Sequence, residues 1–108
     1  MTYKDPFNAL GDPTRRKLFE QIRQGPCTVN ELAESVSVSQ PAVSQHLKVL
    51  REAQLVRVEK QGQRRIYHLN PDGLAELRRY VDEMWDDALR AFAAEAEKRA
   101  KSAGEAGE

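Results

Sequence analysis

The chain is expected to be mainly α-helical with one small β-hairpin, about five helices and two strands in all. Three observations lead there. Several stretches carry apolar residues at three- and four-residue spacing behind recognisable helix starts. One pair of strand-like runs flanks Gln61-Gly62-Gln63, and a long apolar stripe follows Asn70-Pro71-Asp72-Gly73.

At 108 residues the chain fits one domain with a small core, marginal as a monomer, so a second copy would add burial and a homodimer is expected. We place that domain at residues 1–93, its terminal helix starting about 71, with 94–108 as a fraying helical or disordered tail. No apolar run approaches a membrane span, and the opening Met-Thr-Tyr-Lys-Asp-Pro has no signal-peptide pattern, so a soluble cytoplasmic protein is expected. Cys27 is the single cysteine, which fits a reducing compartment and excludes a site needing two thiolates per chain.

The net charge is zero, but it is unevenly distributed. Residues 1–70 hold 11 Lys and Arg against 7 Asp and Glu, and residues 71–108 hold 6 against 10, so the halves carry +4 and −4. A basic first part followed by an acidic helix suits a nucleic-acid-facing module with a separate solvated or dimer-forming helix.

In chain order, Phe7 and Leu10 form a short apolar helical turn stopped by Gly11. Asp12 then caps a second helix with Pro13 at its first position; Leu18, Phe19 and Ile22 are its buried face, and Gly25-Pro26 ends it at Gln24. Arg15, Arg16 and Lys17 are either phosphate contacts or a solvated face, since a basic first turn sits badly with the helix dipole. Thr28 and Glu31 make a capping box opening a short helix that ends near Ser35, with Leu32 and Ala33 inward. Ser39, with Pro41 in the following turn, opens a longer one. A short helix, a brief turn and a longer helix are helix-turn-helix order, with Val38 and Val43 expected to plug the angle and Ser37 standing where glycine is common.

Projected at about 100° per residue, Val43, Leu47 and Leu50 form one stripe of this longer helix, while Pro41, Ser44, Gln45 and Lys48 fall opposite. A merely solvated face in so charged a chain would carry Glu, Lys and Arg; Ser and Gln instead point to a DNA major groove, where hydroxyls and amides read base edges. His46 projects beside Val43 and Leu50 and is expected to be partly buried. The helix ends around Ala53 without a glycine cap, leaving Gln54 to turn the chain.

The runs from Leu55 to Lys60 and from Arg64 to Leu69 then form the hairpin, its tip flanked by Lys60, Arg64 and Arg65. A basic hairpin directly after a helix-turn-helix is the wing of a winged helix, suited to the DNA backbone or minor groove; the competing reading is an edge hairpin charged against aggregation. In the last helix Leu74, Leu77, Val81, Met84, Ala88 and Ala91 repeat at three and four, widened by Trp85, Leu89 and Phe92. That face exceeds what one small domain covers, so a dimer seam is expected from Phe7, Leu10, Leu77, Val81, Met84, Trp85, Ala88, Leu89 and Phe92. Its rivals are an apolar ligand pocket lined by Met84, Trp85 and Phe92, or a grip on another protein. Beyond Ala94, Gly104 and Gly107 should fray the helix.

The order of elements, together with Ala9-Leu10-Gly11-Asp12-Pro13-Thr14-Arg15-Arg16, the block from Val38 to Ala53, and Gly62, Arg64 and Tyr67, resembles the ArsR/SmtB family of bacterial winged-helix repressors from roughly Phe7 to Phe92. The resemblance implies a homodimer joined through first and last helices, with two recognition helices in successive major grooves of an imperfect palindrome. It places base reading at Gln40, Ser44 and Gln45. Lys48, Arg64 and Arg65, with Thr28, Ser39 and Gln63, are assigned to phosphate and wing contacts. Many members sense metals, and here this chain departs. The thiolate positions are filled by Thr28 and Asn30, Cys27 lies one residue off, and both histidines, His46 and His68, precede the last helix. Asp82, Glu83, Asp86 and Asp87 alone favour weakly held hard cations. No metal or other cofactor is expected, and no small-molecule effector is indicated. An enzyme is not expected either: no nucleophile, base and orienting group come together, and Ser44 and His46 point apart on one helix.

Overall fold

The computed structural model describes residues 5–106; Met1 to Lys4 and Gly107, on which expectations were placed above, lie outside them. Five helices and three strands follow in the order α1 (Pro6–Gly11), α2 (Pro13–Gln24), β1 (Cys27–Thr28), α3 (Val29–Glu34), α4 (Gln40–Glu52), β2 (Val56–Gln61), β3 (Arg64–Leu69) and α5 (Pro71–Ala106). The described residues form two compact units, divided between Leu77 and Arg78.

In the first unit the boundaries follow from caps. Asp5 accepts the Phe7 N–H at 2.9 Å and Pro6 takes the first position of α1. Asp12 then serves twice: its extended backbone ends α1, and its carboxylate accepts the Arg15 N–H at 2.9 Å to start α2. The Thr28–Glu31 capping box forms in both directions at the start of α3. Ser39 caps α4 with its hydroxyl on the Ala42 N–H at 3.3 Å. The helix-turn-helix bend needs no glycine at Ser37, because Gln54 is the one non-glycine with positive φ among the described residues.

Leu18, Leu32, Val43, Leu47, Leu50, Leu55 and Val56 are fully buried, joined by Ala9, Phe19, Ile22, Ala53 and Tyr67. The α2 and α4 stripes read from spacing are therefore the core. Val38 is not part of it, at 37 % exposure, whereas Val43 is fully buried. Ala33 is half-buried.

The hairpin is tighter and wider than expected. Gln61 pairs with Arg64 across the two-residue turn Gly62-Gln63, with Gly62 at φ 64, the left-handed first position that a type II′ hairpin turn reserves for glycine. The two-stranded wing gains a third strand, since Cys27 and Thr28 pair antiparallel with Tyr67 and Ile66 to give the sheet order β1-β3-β2. Two residues carry no readable alternation, so periodicity could not show β1.

Gln54, at φ 61, turns the chain out of α4, as expected of that position. Its carbonyl accepts the Gly73 N–H at 2.8 Å, and its side-chain oxygen accepts from Asn70 Nδ2 at 3.1 Å. Gly73 is buried hard against this turn.

In the second unit the helix runs on to Ala106, through Gly104. Arg78 with Asp82, Arg90 with Asp87 and Arg99 with Glu95 are paired along it. Its large apolar side chains are uncovered: Trp85 is 64 % and Phe92 75 % exposed, with Val81, Met84 and Leu89 about half exposed. Tyr80, not anticipated, is exposed with them, whereas Leu77, in the first unit, is half-buried.

No helix among the described residues is long and apolar enough to cross a membrane.

Candidate nucleic-acid interface

With one stripe of α4 sunk in the core, the residues left outside are Gln40, Pro41, Ser44, Gln45, Lys48 and Arg51, all exposed. The hairpin supplies Lys60, Gln63, Arg64 and Arg65, also exposed. Strand alternation sends the two arginines to opposite faces: Arg65 pairs with Lys60 on the side of buried Tyr67, and Arg64 lies on the side of Thr28 and Glu31.

Two open clefts join these elements. One, of about 320 Å³, is lined by Thr28, Val29, Asn30, Gln40, Gln63, Arg64 and Arg65. The other, of about 240 Å³, is lined by Val29, Ser44, Gln45, Lys48, Arg51, Arg65 and Tyr67. They share Val29 and Arg65, so the polar side of α4 and the wing form one continuous surface. Every expected base-reading and backbone-contacting residue except Ser39 lines it, and Ser39 caps the helix whose first turn contributes Gln40. Arg51 and Asn30 line it too and were not anticipated. Arg51 had a signal, since it follows Lys48 by three residues on the same side; Asn30 was hidden inside the capping box. Asn30 Oδ1 accepts from Gln40 Nε2 at 3.4 Å, linking the two helices of the motif.

The surface has a built-in counter-charge. Glu31 is held below the ordinary carboxylate range by the Thr28 backbone N–H, then the Thr28 hydroxyl, with a smaller pull from Arg64. Glu59 is lowered by the Gln61 amide, then by His68 and Arg57. His68 Nε2 lies 3.3 Å from Glu59 Oε2 without hydrogen-bond geometry. Asp12 is lowered by its cap bond to the Arg15 N–H and by the nearby Arg15 and His46. A depressed folded-state value adds stability that is complete above the unfolded carboxylate range, near pH 4, and lost as pH falls through the folded value. The denaturant midpoint should therefore hold from pH 7 to about pH 5 and fall below it. Asp12→Asn should flatten that acid limb; an identical limb in the variant would remove Asp12 from it.

Arg15 and Arg16 have a further occupation beside the two expected of them, and Arg16 remains exposed. Arg15 is half-buried; its Nε donates to the Ala9 carbonyl at 2.8 Å and its Nη2 to that of Asn8 at 3.3 Å, while Arg16 Nε donates to that of Leu10 at 3.0 Å. They satisfy carbonyls at the end of α1 that have no helical partner. Arg15 Nη1 also reaches His46 Nδ1 at 3.5 Å, and His46 is half-buried as expected.

Cys27 is half-buried with its thiol directed at the carbonyls of Gly25 and Gln21, and burial, then the charge of Glu31, pushes its pKa up. Among the described residues no three His, Cys, Asp or Glu side chains gather as metal ligands do within one chain.

Residues 12–58 match the sequence family described as bacterial regulatory protein, arsR family. The chain is 50 % identical over 95 residues to the HTH-type transcriptional regulator Rv2034 of Mycobacterium tuberculosis, spanning 85 % of this chain and 89 % of that one. Over 64 residues it is 38 % identical to the transcriptional repressor SdpR of Bacillus subtilis, spanning 59 % and 71 %. A crystal structure described as a possible transcriptional regulator for arsenical resistance superposes with a TM-score of 0.70 at 44 % identity, covering 84 % of this chain and 95 % of the other.

Proposed function

The chain belongs to the ArsR family of bacterial regulatory proteins, DNA-binding transcriptional regulators rather than enzymes, and from that premise we propose that it is a cytoplasmic, dimeric repressor of a palindromic operator. Gln40, Ser44 and Gln45 read base edges, Gln45 bidentate to adenine. Lys48, Arg64 and Arg65 neutralise phosphates, supported by Thr28, Ser39 and Gln63. Residues 1–93 act as the DNA-binding and dimerisation domain. The seam comprises Phe7, Leu10, Leu77, Val81, Met84, Trp85, Ala88, Leu89 and Phe92, and no metal ligand set operates. One observation carries this reading: the amides and hydroxyl of α4 and the cations of the wing line one continuous surface.

Selection of bound sequences from a random duplex library tests it, followed by titration of the selected operator over a range of salt. With about three cations per protomer engaged, log K should fall against log salt with a slope near −5. Gln45→Ala should cost about 1–3 kcal/mol on the operator and relax base preference, while Arg64→Ala should weaken binding to all sequences alike and shallow the slope. Unchanged preference in Gln45→Ala would remove it from base reading, and salt-independent or undetectable association with any duplex would sink the proposal.

A further inference from the structure

The Arg15 guanidinium forks between two helices. Toward α1 it holds the Ala9 carbonyl at 2.8 Å and the Asn8 carbonyl at 3.3 Å; toward α4 it meets His46 Nδ1 at 3.5 Å. Asp12 meets the same two residues, its Oδ2 accepting the Arg15 backbone N–H at 2.9 Å and lying 4.0 Å from His46 Nδ1. Arg16, the next residue, holds only the Leu10 carbonyl of α1. Two neighbouring arginines thus brace α1, and one of them also ties it to the recognition helix.

From this geometry we infer that Arg15 is a positioning residue that fixes where the recognition helix stands relative to α1, and so which half-site spacing a dimer accepts. The inference rests on the dimeric DNA-reading proposal above. In a dimer whose seam includes α1, the separation of the two α4 helices depends on each protomer's own α1-to-α4 geometry, and the operator must present half-sites in register with it. A planar guanidinium with several fixed donors can hold two carbonyls and a ring nitrogen together, whereas an ammonium is a single point on a flexible stem. A guanidinium only donates, so it pairs with His46 through an Nδ1 that carries no proton.

The test uses the full-length protein and a set of duplexes carrying the selected half-site with the spacer lengthened or shortened by one and two base pairs. Wild type should prefer one spacing over those two base pairs away by about tenfold or more. R15A and R15K should lose most of that preference while keeping the wild-type base preference within each half-site. R16A, which removes an α1 bond without touching α4, should keep it. Combining R15A with H46A should weaken operator binding by about threefold or more less than the product of the single effects, whereas R16A with H46A should be multiplicative. Wild-type spacing preference in folded R15A, or equal loss of preference in R16A, would overturn the assignment. Failure of wild type to select any duplex would instead count against the DNA-reading proposal itself. Should R15A not fold, R15K and the His46 pairing carry the same decision.

Discussion

Alanine in place of Gly73 should lower the thermal midpoint by about 10–20 °C, the largest stability effect expected of a single methyl group here. A Cβ at that position would press on the Gln54 carbonyl oxygen and come within 2.6 Å of the Gln54 carbonyl carbon and 2.7 Å of the Ala53 oxygen. All three atoms are backbone, in a turn whose residue 54 already sits at φ 61, so no side chain can swing aside. Relief requires moving the start of α5 away, which also breaks the 2.8 Å bond from the Gly73 N–H to Gln54. Overpacking and one lost backbone bond together amount to about 2–4 kcal/mol. Thermal unfolding followed by circular dichroism measures this; a shift under about 3 °C would mean the turn yields at little cost.

In the proposed dimer, glutamate at both Trp85 and Phe92 should leave only monomer at micromolar concentration and lower operator affinity by about a hundredfold or more. These are the most exposed of its large apolar side chains, on a helical unit whose own residues leave them uncovered. Burying such a side chain contributes roughly 1.5–3 kcal/mol, and the seam proposed above would contain two copies of each. Allowing for ordering costs, losing about 4 kcal/mol weakens dimerisation about a thousandfold. Sedimentation velocity and operator titration give the two readouts, and helical content should stay unchanged because neither residue is in the core. A double variant that remains dimeric would remove this face from the seam.

Most of this fold is readable from the chain because its helices announce themselves locally. Asp12, Thr28 and Ser39 each occupy the cap position that their side chains favour, and Val43, Leu47 and Leu50 keep the spacing of a buried stripe. The exposed side of α4 was legible for the same reason: once those three point inward, geometry leaves Gln40, Ser44, Gln45 and Lys48 outside. What escaped depends on distant partners. The strand Cys27–Thr28 exists only because β3 lies beside it. The arginines at 15 and 16 were weighed as surface charges because their acceptors, six and seven residues back in α1, become neighbours only when two helices fold against each other.

Thr28 ends the short strand β1, which pairs with β3, and caps α3 at once, so the sheet and the first helix of the helix-turn-helix meet at a single residue. Their relative freedom is surrendered during folding. In the proposed complex the entropy left to lose on binding DNA is then confined mainly to long side chains such as Arg64 and Arg65 and to the turn at Gly62-Gln63. Association of this part of the surface should accordingly be close to rigid-body, with little heat-capacity change from the hairpin itself.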